Sequence, residues 1–119
     1  MVVIRQHGEN GELFDITSFL FAVDRFAKPD AWQVNVDQCL GDRALEIEQL
    51  TGAGLLLLDP EFRALYRGVY QTIDGRFIGL AGGIRIFELR AVDSSFWEVT
   101  GPSAFESHML TTYGEWPRA

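Results

Sequence analysis

The spacing of apolar positions is clearest between Asp59 and Leu80, and the chain is read outward from there. Asp59 is a capping residue whose carboxylate can accept from first-turn amides. Pro60 suits the first helical position, where its missing N–H costs nothing. Phe62, Leu65, Tyr66, Val69 and Ile73 follow at spacings of three and four, which predicts one helix face. Asp74-Gly75 is expected to end that helix, with Gly75 free to turn left-handed. Arg76 to Leu80 then reads as a short strand.

Before this unit, Val2 to His7 reads as a strand closed by the turn-rich Gly8-Glu9-Asn10-Gly11. Asp15 or Thr17 can cap a helix running to about Ala27, with Ile16, Phe19, Leu20, Val23, Phe26 and Ala27 on one face. Phe21 lies off that face and needs a second packing surface or a partner. Trp32 to Asp37 alternates cleanly, as a half-buried strand does. Arg43 to Glu48 alternates again, with Leu45 and Ile47 inward. In a helix those two would sit about 200° apart, so the pattern predicts a strand. If it pairs with the preceding strand, Asp37, Glu46 and Glu48 share one solvent face. Leu55 to Leu58 is apolar on all sides and is expected to be buried, as a helical turn or a strand.

After the central unit, Ala81-Gly82-Gly83 reads as a turn and Ile84 to Val92 as an inner strand. Its alternation slips at Ile86-Phe87, which predicts a bulge or burial on both faces. Asp93-Ser94-Ser95 is turn chemistry. Phe96 to Val99 is a strand with Trp97 and Val99 on one face. Ser103 can cap a last helix where Phe105 and Met109 pack, and Gly114 to Pro117 reads as a loose tail. The elements predict an α+β fold in a single domain over 1–119, with a largely antiparallel sheet and about three helices.

Composition narrows the function classes. Nine Phe, three Trp and three Tyr in 119 residues describe a globular chain with its own core. No apolar run approaches the roughly 20 residues that span a bilayer. The segment Met1 to His7 lacks the basic start and long apolar stretch of a signal peptide, so a cytoplasmic protein is expected. Cys39 is the sole cysteine, which fits a reducing compartment. The net charge of −7 disfavours nucleic acid, whose backbone is held by Lys and Arg. It suits a basic protein partner instead.

No motif carries catalysis. His7 and His108 are far apart, and no H-x-x-x-H or C-x-x-C spacing occurs, so neither metal nor cofactor is expected. Cys39 lies among acids that disfavour a thiolate. Ser94 and Ser95 have Asp93 beside them but no G-x-S-x-G elbow, leaving only a triad completed through space by His7 or His108. Thr51 to Gly54 and Ala81 to Gly83 lack the G-K-[ST] ending of a phosphate loop. The acids Asp37, Glu46, Glu48, Asp93 and Glu98 could pair for hydrolytic acid–base work if folding brings two into one cleft. Alternatively they form a flat anionic face. Trp116 is the aromatic expected to be exposed or in contact.

Two stretches, Val-Tyr-Gln-Thr-Ile-Asp-Gly-Arg-Phe-Ile-Gly (Val69 to Gly79) and Leu-Arg-Ala-Val-Asp-Ser-Ser-Phe-Trp-Glu-Val (Leu89 to Val99), resemble small bacterial immunity proteins that protect against contact-delivered or polymorphic toxins. The resemblance implies a non-enzymatic inhibitor of one cognate toxin domain. The acidic balance would complement a basic nuclease. On that reading Asp37, Glu46, Glu48, Asp93 and Glu98 are the expected partner-binding residues, with Trp116 as apolar anchor. A small carboxylate hydrolase and a structural or homodimeric module using an edge such as Phe77 to Leu80 are the alternatives.

Overall fold

A computed structural model describes residues 1–117. Among them the elements run β1 (Val2–Arg5), α1 (Ile16–Phe26), β2 (Ala31–Gly41), α2 (Ala44–Thr51), β3 (Leu55–Leu58), α3 (Asp59–Tyr66), β4 (Val69–Ala81), β5 (Ile84–Val92), β6 (Phe96–Thr100) and α4 (Ser103–Tyr113). The six strands form one sheet in the order β1-β6-β5-β4-β2-β3, every neighbouring pair antiparallel. The α+β expectation holds, with four helices rather than three.

The alternating residues Trp32, Val34 and Val36 of β2 all lie buried, as do Phe77 of β4, Phe87 and Leu89 of β5, and Trp97 and Val99 of β6. Their rings meet those of α1, α3 and α4 on this one side. Phe62 lies against Trp32, Phe19 against Trp97 edge-on, and Phe105 against Phe87. Both buried indoles are satisfied: Trp32 donates to Asp59 Oδ1 at 2.8 Å and Trp97 to the Phe14 carbonyl at 2.9 Å. Arg63 of α3 ties α1 to this layer, reaching Asp24 at 2.7 Å and Asp59 at 2.9 Å. Gly79 leaves room for the Trp32 and Phe87 rings, both of which a Cβ there would meet at 3.3 Å.

Two expected elements change type. The helix that starts at Asp59 ends at Tyr66, and Val69–Ala81 is a long strand with Asp74-Gly75 inside it. The β-branched and aromatic residues Val69, Tyr70, Thr72 and Ile73 favour a pleated surface. Register shifts at Val36/Gln38, Gln38/Cys39 and Leu40/Gly41 break the period of two in the half of β4 they face. The remaining buried positions imitate a helical spacing. Asp59 is the first helical residue rather than the cap, and its carboxylate serves Trp32 and Arg63.

Arg43 to Glu48 is not a strand: α2 begins at Ala44. Leu45 is exposed, whereas Ile47 and Thr51, four apart, are buried. The helix formers Ala44, Leu45, Glu46, Glu48, Gln49 and Leu50 outweigh the short alternation. This helix closes the part of β2 that β3 leaves open. Thr51 Oγ1 accepts from the Val36 N–H at 3.0 Å, and Glu48 Oε2 accepts from the Cys39 N–H at 3.0 Å. Asn35 Nδ2 donates to the Gly52 carbonyl at 2.8 Å.

Leu55 to Leu58 is a strand, but it is not wholly buried. Leu56 and Leu58 point away from the core and are 59% and 61% exposed. The slip at Ile86 is a bulge, since Gly79 pairs with Phe87 and Leu80 with Arg85. The β4–β5 hairpin turns on Gly82 (φ 57°) and Gly83 (φ 79°), where glycine alone is unstrained at both positions. The tail is not loose. Glu115 bridges to Ile4, and the Trp116 N–H donates to the Val3 carbonyl at 3.0 Å, so the tail borders β1.

Candidate functional site

Because α1, α3 and α4 lie on one side, the opposite face of the sheet is bare. Side chains alternate across a strand, so Gln33, Asn35, Arg76, Glu88, Arg90, Glu98 and Val3 lie on it, with Ile78 buried among its neighbours there. The register puts Asn35, Arg76, Arg90, Glu98 and Val3 in one cross-strand row. The row carries ion pairs. Arg76 reaches Glu88 at 3.1 Å, Arg85 reaches the same carboxylate at 3.1 Å, and Arg90 reaches Glu98 at 3.3 Å. With these arginines about half exposed, each pair contributes about 0–1 kcal/mol to stability. Such charges are easily re-paired by a partner.

A depression of about 510 Å³ lies on this face and is lined by Asn35, Asp37, Asp74, Gly75, Arg76, Glu88, Arg90 and Ala91. It is a shallow trough with arginines along one flank and Asp37 and Asp74 at its end. Asp74 also accepts the Asp93 N–H at 2.9 Å, which brings the β5–β6 turn to the same end. Asp74 joins the acidic end but was legible in the sequence only as a helix stop, because the turn that meets it lies nineteen residues on.

The expected partner-binding residues are separated by the fold. Asp37 lines the acidic end of the trough, and Asp93 does not line it but meets Asp74 there through its backbone N–H. Glu98 is mid-face and paired with Arg90. Glu46 and Glu48 are not on the sheet face, because their segment is helical. Glu46 pairs with Arg43 at 2.7 Å, and that hydrogen bond holds its carboxyl below the usual range. Glu48 is committed to the Cys39 amide. Trp116 is 38% exposed at the β1 margin, its ring stacked on Phe96 at 6.3 Å.

The catalytic alternatives meet specific geometry. His7 does approach Ser94, but its Nε2 donates to the Ser94 carbonyl at 2.9 Å, and the Ser95 hydroxyl donates to the Asp93 carbonyl. His108 lies on α4 against Phe26. Neither histidine therefore activates a serine here. Burial, then the charges of Glu48 and Asp15, push the Cys39 thiol up to about 11, away from a nucleophile's range. The carboxyl raised furthest is Asp15, pushed by burial from 3.8 to about 6. It is walled in by Thr72 and Tyr66 and touches no cavity wall described above. Among the described residues no group of His, Cys, Asp and Glu is placed to hold a metal ion. None of their helices is long and apolar enough to cross a membrane.

Fold and site together define a one-sided antiparallel α+β domain with an uncovered, charged sheet face. The chain matches no family model, no curated protein and no solved structure.

Proposed function

We propose that this chain is a non-enzymatic, immunity-type protein that neutralises a basic toxin domain by seating it on the bare sheet face. The observation that carries the reading is the trough's acidic end, where Asp37 and Asp74 lie together on a surface with no helix over it. A convex partner with exposed Lys or Arg meets Asp37, Asp74 and Asp93 there. Its acidic groups meet Arg76 and Arg90, and Glu98 and Trp116 extend the contact toward β1. A charge of −7 steers such a partner in from a distance. A nuclease is the toxin class the charge best complements, since its own site is built to hold phosphates.

A hydrolase reading would need two carboxyls facing one another in a cleft, one of them with a raised pKa. The trough is open, and Glu88 and Glu98 within reach of it are held by arginines. The binding reading therefore accounts for more of the surface.

The test is affinity capture from the source cells with wild type and Asp37→Lys, followed by mass spectrometry. Wild type is expected to retain a basic protein at low salt. Reversing one charge at a close pair costs about 2–5 kcal/mol, so the variant should lose it. Retention that Asp37→Lys leaves untouched, or capture of no basic protein, removes the assignment.

A further inference from the structure

We infer that β3 is the contact edge of a two-fold homodimer, in which the Leu56 strands of two copies pair antiparallel and join two sheets into one. The inference is independent of the toxin-binding reading and uses different residues.

It follows from an account of the sheet's margins. A strand edge presents unpaired N–H and C=O groups, and proteins ordinarily cover or charge them. At the β1 margin the tail does this: the Arg5 N–H donates to the Gly114 carbonyl at 3.0 Å and the Trp116 N–H to Val3. Beyond β3, the margin of β2 is closed by Thr51 and Glu48 of α2. Among the described residues no segment lies along the outer side of β3, and its four residues carry no charge and no proline.

The occupant follows from which groups remain open. The Leu58 N–H is taken by Glu61 Oε1 at 3.0 Å, and the Gly54 N–H by the Thr51 carbonyl at 2.8 Å. Backbone groups on one side of a strand recur every second residue, so Leu56 between them presents the outward N–H and C=O. A long foreign strand would find its flanking bonds already occupied. A second copy centred on Leu56 satisfies both open groups at once, each Leu56 donating to the other across the two-fold axis. Such an interface is self-complementary, as an isologous contact must be. In this register Leu55 faces Leu57 of the other copy and Gly54 faces Leu58, so no polar or charged side chain is set opposite another within the paired stretch.

Charge also favours a copy over a basic partner at this edge. From Gly52 to Leu58 there is no charged side chain, so a cation docked on β3 meets no counter-charge within the strand. The outward leucines, Leu56 and Leu58, continue through Ala31 and Leu80 on the bare face. Pairing two copies buries this corner and puts no like charges opposite one another within the strand. The elements involved are short, so a weak dimer is expected, forming in the micromolar range or above.

Sedimentation equilibrium of the full chain, from micromolar to near-millimolar and at low and high salt, tests this. A monomer–dimer equilibrium is expected that tightens as salt screens the net charge on each copy. Leu56→Lys should weaken it at least about tenfold with an unchanged melting temperature, because Leu56 is largely exposed. Asp37→Lys should leave it in place. A chain that stays monomeric throughout, or a dimer that Leu56→Lys does not weaken, overturns the inference. So does a chain that is monomeric alone and pairs at β3 only with an unrelated strand.

Discussion

Asp15 is the residue on which several contacts converge. One carboxylate oxygen caps α1 through the Ile16 N–H at 2.9 Å and accepts the Thr72 hydroxyl at 2.9 Å, and the other accepts the Thr72 N–H at 2.7 Å. Tyr66 completes the group through its bond to the Thr72 hydroxyl. Burial outweighs these bonds and raises the carboxyl from 3.8 to about 6. The folded chain therefore holds this proton more tightly than the unfolded chain does. The stabilisation is present in full below the unfolded value and is lost as pH rises through the folded one. Going from about pH 7.5 to about pH 4.5, wild type should gain about 2 kcal/mol relative to Asp15→Asn, which has no proton to bind. Urea titrations of both proteins across that range measure it, and parallel stability curves would refute it. The cap itself was legible, since an acid precedes the first apolar-periodic residue. The bond to Thr72 was not, because nothing at residue 15 signals a partner 57 positions away.

At the scale of elements, sequence periodicity succeeded where the sheet is regular and failed where it is bulged. In β2 and β6 the alternation of Trp32, Val34 and Val36, and of Trp97 and Val99, maps directly onto burial. In β4 the bulges opposite Gln38 to Gly41 shift the phase, so Val69 and Thr72 are buried three apart. In α2 the six-residue alternation from Arg43 to Glu48 yields to the helix propensity of the residues that carry it. The helix's role was invisible for a related reason: it covers β2 by side-chain bonds rather than by an apolar stripe. Thr51 shows the size of that role. Its hydroxyl accepts from Val36 and donates to the Ile47 carbonyl at 2.8 Å, with no exposure. Thr51→Val keeps the shape but orphans a buried N–H, so it should cost about 1–3 kcal/mol of unfolding free energy. Glu46→Lys, on the outer side of the same helix, should leave the denaturation midpoint in place. Equal effects from the two would mean that α2 does not close this margin. Glu48→Lys is not a neutral probe of binding, since the Cys39 amide depends on that carboxylate.

For the molecule as a whole, charge was readable as a total but not as a pattern. The sum of −7 suits the basic partner proposed above only in sign, whereas the fold decides which acids remain available. Arg43 and Arg90 hold Glu46 and Glu98, and the end of the trough keeps Asp37. Ion pairs between neighbouring strands depend on register, which only the completed sheet determines. The same holds for the bare face: three helices could have been divided between two sides, and aromatic contacts such as Phe62–Trp32 and Phe105–Phe87 place them on one.

That lopsided build has an evolutionary consequence. About half of the positions along β2, β4, β5 and β6 are locked by close packing, while most of their immediate neighbours in sequence lie on the uncovered face among solvent-exposed ion pairs. A saturation library scored for folding should show tolerance switching on and off with every step along β2 from Trp32 to Val36. Descendants of this chain can therefore exchange one set of surface side chains for another without disturbing the interior that keeps them folded.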